Sequence, residues 1–361
     1  MKRNEHVVEQ VNSRGNVSVG TFVGKFRREQ PMTIKARFKT GSTHLTAAVI
    51  DVVSTNIISP QLWSSWNFGS ASAQTATFTA SPSGGRETGW MMFTLQGRAP
   101  HYVGVYEASV LNWRVRDVNG GRDSQLIATK TGPHTVYAIL GDPVEPWSLA
   151  FGSNQNPWIN ALEWACTKAQ GAGSENNVAS NITIGINESG RFQYEVTSGR
   201  RKYVNSNNEV YLSMCIARLN GGYGKGADVN CTDCASFVTS FSNLLGCHLY
   251  SSQMGKDFMT RKYTAIGQPD LTPPNWGWTF VFHEVAWSGL CDDSDLVYDA
   301  CLKYIDLAAT NNPPQLPLSV RFSDGNPGSP YVYRERLTPP DPAGYDKCLA
   351  QPDEKRRRRV K

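Results

Sequence analysis

Residues 228–247, DVNCTDCASFVTSFSNLLGC, leave the chain little local choice. Asn230 is a strong helix N-cap, and Asp233 three residues later supplies an acid that can face the first-turn amides, close to a capping box. Gly246 suits the position just past a helix end. The spacing therefore predicts a helix with Cys231 at its first position. Cys234, Ala235, Val238, Phe241 and Leu245 follow on one apolar stripe, which only Ser242 interrupts. The buried face thus opens on the Cys231 thiol, where the positive field of the helix end favours thiolate. Cys234 lies one turn deeper, where burial keeps a thiol protonated and inert.

The C-x-x-C pair admits other meanings. A zinc site wants four ligands, and no second C-x-x-C or H-x3-H is present; Cys247 and His248 lie roughly 24 Å away along the helix at about 1.5 Å per residue. A redox pair wants a strand before the helix, and here the glycine-rich NGGYGKGADVN precedes it. That loop also lacks the order G-x-x-x-x-G-K-[ST] of a phosphate loop. Two core cysteines, or a nucleophile with a packing neighbour, are the readings that fit the residues. The other six cysteines are scattered singly, unlike a disulfide scaffold.

At 361 residues the chain is long for one core, so two domains are the default. Residues 1–30 are polar and are expected to be loosely ordered. Residues 31–142 read as short alternating strands, among them MTIKARFKT, HLTAAVIDVV and PHTVYAIL, broken by Gly, Ser, Pro and Asn. That pattern predicts an all-β, Ig-like sandwich. His101 and His134 lie near prolines in turns and are read as structural. Residues 143–158, rich in Pro and Gly, form the expected linker. Residues 159–335 change character, with helical spacing in INALEWACTKAQ and a second helix near NNVASNITIGI. Residues 336–361 form a Pro-rich and basic tail.

Much of the net charge of +5 sits in KRRRRVK at 355–361. No basic stripe with interleaved aromatics accompanies it, so a solvated end is the expectation and a nucleic-acid partner is not. The N-terminus lacks the apolar stretch of a secretory signal, and no segment approaches the roughly 20 apolar residues of a membrane span. A soluble chain, cytoplasmic by default, is the expectation. Neither a cofactor nor a metal is predicted.

Thiol nucleophiles need an imidazole to move the proton and a third group to hold the ring. Only His248 and His283 fall in the second domain. In WTFVFHEVAW, His283 shares a face with Thr279, Val281, Val285 and Trp287, and the opposite face is also mostly apolar, which predicts a central two-sided strand. The next run, SDLVYDACLKY, carries Val297, Asp299 and Cys301 on one face. With SGLCDDS as the hairpin loop, Trp287 pairs Asp295, Val285 pairs Val297, and His283 pairs Asp299 on one face. A one-residue slip would remove Asp299 to the other face.

N-C-T-D-C-A with Gly246 at the helix end resembles the G-x-C-x-D-x-A…L-x-G signature of the transglutaminase-like superfamily. F-H-E-V-A-W followed by V-Y-D-A resembles its H-x-W…(apolar)-D signature. The resemblance covers about 225–305 well and the rest of 159–335 loosely. It implies an α+β fold of papain-like type, an antiparallel sheet packed on the nucleophile helix, behind the N-terminal all-β sandwich. It further implies Cys231 as nucleophile, His283 as general base and acid, and Asp299 as the orienting carboxylate. The family's glycine two places before the nucleophile is Val229 here, and its aromatic near the histidine is displaced to Trp287. The Cys231 backbone amide is the natural oxyanion donor, with Asn230, Trp276, Trp278 and Trp287 as further residues near substrate. The implied activity is acyl-thioenzyme chemistry on protein or peptide amides, ending in hydrolysis, deamidation or amine transfer. The alternative is a non-enzymatic binding or scaffold protein on the same two domains; a degenerate member would lose a motif residue, and all three are filled.

Overall fold

The computed structural model describes residues 18–21, 25–27, 31–41, 44–56, 69–82, 84–98, 100–118, 127–147, 157–195, 198–268, 279–304 and 314–361. They form two compact units, Met1–Ile139 and Leu140–Lys361. The fold mixes helix and strand, with mostly sheet and few helices.

The described residues of the first unit carry strands only. Its longest are Pro31–Thr40, Ala47–Asn56, Gly104–Asp117 and Ile127–Ile139. Side-chain alternation explains why they form. Ile34, Ala36, Phe38 and Thr40 are buried, while Thr33, Arg37 and Lys39 between them are half-buried. Ala48, Ile50 and Val52 repeat the pattern, and Ile50 pairs Val115 and Val52 pairs Trp113 across the sheet. The core centres on Phe38, Phe93 and Trp113, whose rings meet edge to face at 6.1, 5.2 and 5.1 Å. Two mostly antiparallel groups of strands are bridged by the pair Ala71–Leu95, with Lys25–Arg27 added in parallel beside Tyr137–Ile139. The strands exceed the short runs that the sequence suggests. Ile127–Ile139 passes straight through Pro133, because the ladder shifts register between Thr131 and His134 and so asks no amide of the proline.

In the second unit, helix α1 spans Ile159–Lys168, α2 Glu175–Asn187, α3 Leu212–Leu219, α4 Cys231–Leu244 and α5 Tyr333–Leu337. Ser174 caps α2, its hydroxyl accepting from the Asn177 amide at 3.3 Å. A four-stranded antiparallel sheet runs in the order Tyr250–Met254, His283–Trp287, Leu296–Tyr298, Leu318–Arg321. Helix α4 packs on its first two strands and on α1 and α2.

Three expectations are corrected here. Helix α4 is not buried along one stripe: every residue from Cys231 to Leu244 is buried. Its polar side chains are tolerated because partners reach them, as Ser251 does for Thr239 at 3.0 Å and the Leu249 carbonyl for Asn243 at 3.0 Å. Second, part of the expected linker is core. Trp147 is buried, and its indole donates to the Ser240 carbonyl of α4 at 2.7 Å. Third, the basic end is not a solvated tail. Arg356 exchanges backbone hydrogen bonds with Ser251, Val360 bridges Val210, and Arg358 is only 4% exposed. Guanidinium groups take up buried acceptors and aromatic faces, so a run of arginines need not mean solvent. Among the described residues no helix is long and apolar enough to cross a membrane.

Helix α4 ends as its glycine demands. Gly246 has φ of +94°, and a Cβ there would come within 2.5 Å of the Gly141 backbone. Gly246→Ala is therefore expected to destabilise the second unit by more than about 1 kcal/mol, read by urea denaturation with the second unit's signal resolved.

Candidate active site

Asn230 and Asp233 form a complete capping box. The Asn230 side-chain oxygen Oδ1 accepts the Asp233 amide at 3.1 Å, and the Asp233 carboxylate accepts the Asn230 backbone amide at 3.2 Å. Asp233 also accepts the amides of Lys202, Tyr203 and Val204 at 2.8, 2.9 and 2.9 Å. Burial raises its carboxyl and those four amides pull it back, leaving it at about 6. The acid between the two cysteines therefore ties segment 202–204 to the start of α4. Cys231 takes the first helical position and is 4% exposed.

His283 opens a strand of five buried residues, His283–Trp287. The predicted continuous strand is broken ahead of it: Thr279–Phe280 pairs elsewhere, and Val281 is 67% exposed. The register also differs. Trp287 pairs Val297 and Ala286 pairs Tyr298, two residues from the predicted pairing. An even shift keeps every side chain on its face, since strand side chains alternate with period two. Asp299 thus still meets the histidine, but from just past the end of Leu296–Tyr298 and not from within a strand. The chain breaks there before entering Leu302–Tyr304, which belongs to another sheet.

His283 Nε2 donates to Asp299 Oδ2 at 3.0 Å, with the two side chains 0% and 1% exposed. The same oxygen accepts the Tyr333 hydroxyl at 2.8 Å, and Oδ1 accepts the amides of Cys301 and Leu302 at 2.7 and 3.1 Å. Four donors fix the carboxylate, and the carboxylate fixes the ring. Among the described residues Nδ1 has no hydrogen-bond partner. The Cys231 side chain nonetheless lies close enough to act on the imidazole. Burial alone lowers the ring's pKa; the Asp299 charge, its hydrogen bond and the Cys231 side chain overcome that and raise it to about 10. Phe280 packs on the ring at 5.3 Å between centroids.

Cys234 is buried one turn into α4 and interacts with the Cys301 thiol, a contact that lowers its pKa. Burial and the nearby Asp233 and Asp299 outweigh that and push the thiol up, and burial pushes Cys301 up strongly. Both are held in the protonated form. Tyr194 and Tyr263 are buried near these thiols, with pKa values raised first by burial.

The oxyanion and substrate candidates fare differently. The Asn230 amide group donates to the Gly199 carbonyl at 2.8 Å while its oxygen caps α4, so this side chain serves the fold. Trp287 is core: it is fully buried, donates to the Ser252 carbonyl at 3.0 Å and packs on Phe322 at 4.7 Å. Trp276 and Trp278 lie outside the described residues. Among the described residues no three His, Cys, Asp or Glu side chains are gathered as a metal site would need.

Sequence reasoning missed Tyr333, which holds Asp299 from 34 residues downstream. No local pattern marks it, since one tyrosine among fourteen carries no spacing signal. It missed the role of Glu284 as well, where the signal existed: a lone acid in an apolar strand implies a buried partner.

No protein-family model matches the chain, nor does any curated protein. Among solved structures it is similar to red sea bream transglutaminase, with a TM-score of 0.38 and 12% identity over 76% of this chain and 48% of that one. It is also similar to the complex of zinc 2-glycoprotein and prolactin inducible protein from human seminal plasma, with a TM-score of 0.19 and 9% identity over 36% of this chain and 99% of that one. The chain spans about half the length of the transglutaminase it matches.

The charge of Asp299 holds His283 protonated. The ring's contribution to stability is full below its ordinary pKa of 6.5 and is lost as the pH rises through about 10. Asp299→Asn removes that charge and leaves burial, the largest influence on the ring, opposed by the Cys231 side chain alone, so the ring is expected to be neutral at pH 7. Nitrogen NMR of the histidine side chain checks this; an imidazolium persisting at pH 7 in the variant would contradict it.

Proposed function

We propose that the protein is a transglutaminase-like cysteine enzyme acting on protein or peptide amides, with Cys231, His283 and Asp299 as its triad. The observation that carries this reading is the buried His283–Asp299 hydrogen bond of 3.0 Å, on a ring that the Cys231 side chain also reaches. In that reading Asp299 holds Nε2 and leaves Nδ1 for the thiol proton. The two roles need different ring nitrogens, and the geometry supports that division. The finer fold assignment belongs with it: Met1–Ile139 as an Ig-like β-sandwich and the second unit as a papain-like α+β domain. A unit whose described residues form two mostly antiparallel groups of strands supports the first, and α4 lying on an antiparallel sheet supports the second.

The chemistry follows from the roles. His283, held protonated by Asp299, already carries on Nδ1 the proton that the Cys231 thiol gives up, and the thiolate sulfur attacks the amide carbon, forming a C–S bond and a tetrahedral oxyanion. Cys231 stands at the first helical position, so its backbone amide has no partner within the helix and is free to donate to that oxygen. His283 then returns the proton to the departing nitrogen, the C–N bond breaks, and ammonia or an amine leaves. The thioester that remains is attacked by water or by an amine, whose proton passes to His283 and on to the departing Cys231 sulfur. Throughout, Asp299 stabilises the imidazolium and keeps the ring from turning.

Iodoacetamide at mildly acidic pH is expected to label Cys231 before Cys234, and His283→Ala to slow that labelling about 100-fold. Peptide mapping reads the site; prior labelling of Cys234, or an unchanged rate in the variant, would overturn the triad. Mass spectrometry of protein and peptide pools incubated with and without a primary amine then separates the reactions. Amide substrates are expected to show ammonia loss, amine incorporation or backbone cleavage in the wild type and none of these in Cys231→Ala.

A further inference from the structure

We infer that Arg358 is a positioning residue for the Cys231–His283 pair, an inference that rests on the function proposed above. Its guanidinium lies against the neighbours of both reacting residues. Nη1 and Nη2 donate to the two oxygens of Glu284, at 2.5 and 3.1 Å, and Glu284 is the residue after His283. Nη1 also donates to Ser236 Oγ at 3.0 Å, on α4. Glu284 Oε2 accepts the Thr232 hydroxyl at 2.9 Å, and Thr232 is the residue after Cys231. Ser236 Oγ donates back to the Thr232 carbonyl at 2.6 Å. One buried ion pair therefore joins the first turn of the nucleophile helix to the first residues of the histidine strand.

The guanidinium is itself held firmly. Nε donates to Asn208 Oδ1 at 2.7 Å. On one side Arg357 donates to the Leu249 carbonyl at 2.9 Å and stacks on Tyr250 at 4.0 Å. On the other, Arg359 O accepts the Val210 amide and the Lys361 amide donates to Val210 O, both at 2.7 Å. Segment 356–361 is thus laced to 249–251 and to 208–213, and it delivers Arg358 to a fixed place. Lysine cannot substitute for it: an ammonium lacks the planar fork that meets both Glu284 oxygens while also reaching Ser236 and Asn208.

A buried ion pair is a poor source of net stability, because desolvation cancels much of its attraction. What it supplies in excess of an apolar pair is direction. Glu284 is pulled toward α4 by Thr232 and Arg358 together, which sets the pitch of the strand end from which His283 projects. A displacement of about 1 Å between two reacting groups can cost on the order of 100-fold in rate, so the arrangement bears on the chemistry without touching substrate.

The test compares Arg358→Lys, Glu284→Gln, and the double variant Arg358→Met with Glu284→Met, which removes both charges together and leaves no unpaired charge. Val178→Ala in α2 serves as a stability control and His283→Ala as the control for the triad. The readouts are the rate of Cys231 alkylation by iodoacetamide from pH 5 to pH 10 and the thermal midpoint. The double variant is expected to keep a midpoint near that of the wild type, yet to alkylate Cys231 about tenfold more slowly with a displaced pH profile. Arg358→Lys should fall between, and Val178→Ala should lower the midpoint with the pH profile unmoved. Wild-type rates and profiles in Arg358→Lys and Glu284→Gln would overturn the inference, whatever happens to the midpoint or to the folding of the double variant. If His283→Ala itself leaves alkylation unchanged, the functional reading falls and this inference falls with it; if only that variant slows the thiol, this inference alone fails.

Discussion

Helix α4 has no exposed residue, and that constraint governs the second unit. A helix of fourteen residues with seven Ser, Thr, Asn or Asp side chains cannot be surrounded by hydrocarbon alone. The surrounding segments therefore bring hydrogen-bonding groups as well as apolar surface. Segment 202–204 comes to Asp233, Ser251 to Thr239, Leu249 and the Glu145 carbonyl to Asn243, and Glu284 to Thr232. Aromatic rings fill what is left, with Trp164 on Phe241 at 4.3 Å and Tyr203 on Phe237 at 5.3 Å. Of the fully buried side-chain oxygens and nitrogens described on this helix, Ser242 Oγ alone has no partner. Polar satisfaction of this kind is directional, so it fixes where neighbours sit more narrowly than packing does.

The site inherits that precision. Cys231 is held by a helix start that Asn230 and Asp233 cap reciprocally, and His283 by a carboxylate with four donors. Both anchoring acids are buried, and each is satisfied chiefly by backbone amides or a tyrosine. The buried arginine, Arg358, goes instead to Glu284, on the strand face opposite His283. This arrangement lets the Asp299 charge act on the imidazole without competition, which is why the ring's pKa rises in spite of complete burial.

Features governed by nearest neighbours were legible beforehand. The cap at Asn230, the position of Cys231, the end at Gly246 and the approximate extents of α1 and α2 follow from residues within a turn of one another. The face of Asp299 relative to His283 was legible even though the register was two residues off, because only parity matters to a face. Helix α3, the break before His283, the handover of Asp299 to a turn between two sheets, and the fate of the basic run were not legible. Each depends on a partner far along the chain: Tyr333 for Asp299, Ser251 and Val210 for residues 356–361. A run of four arginines reads as solvent-facing because a sequence shows its charge and conceals its acceptors.

The sequence by itself determined the local stereochemistry of a capped helix that starts on a thiol, and a chemistry set of thiol, imidazole and carboxylate in an order that one α+β unit can assemble. Tertiary structure decided that the helix is surrounded, that Asn230 and Trp287 are spent on the fold, and that Arg358 bridges the segments bearing Cys231 and His283. The physical reason is that hydrogen bonds in a helix turn or cap close within a few residues, whereas a buried charge or hydroxyl takes its partner from wherever the folded chain returns.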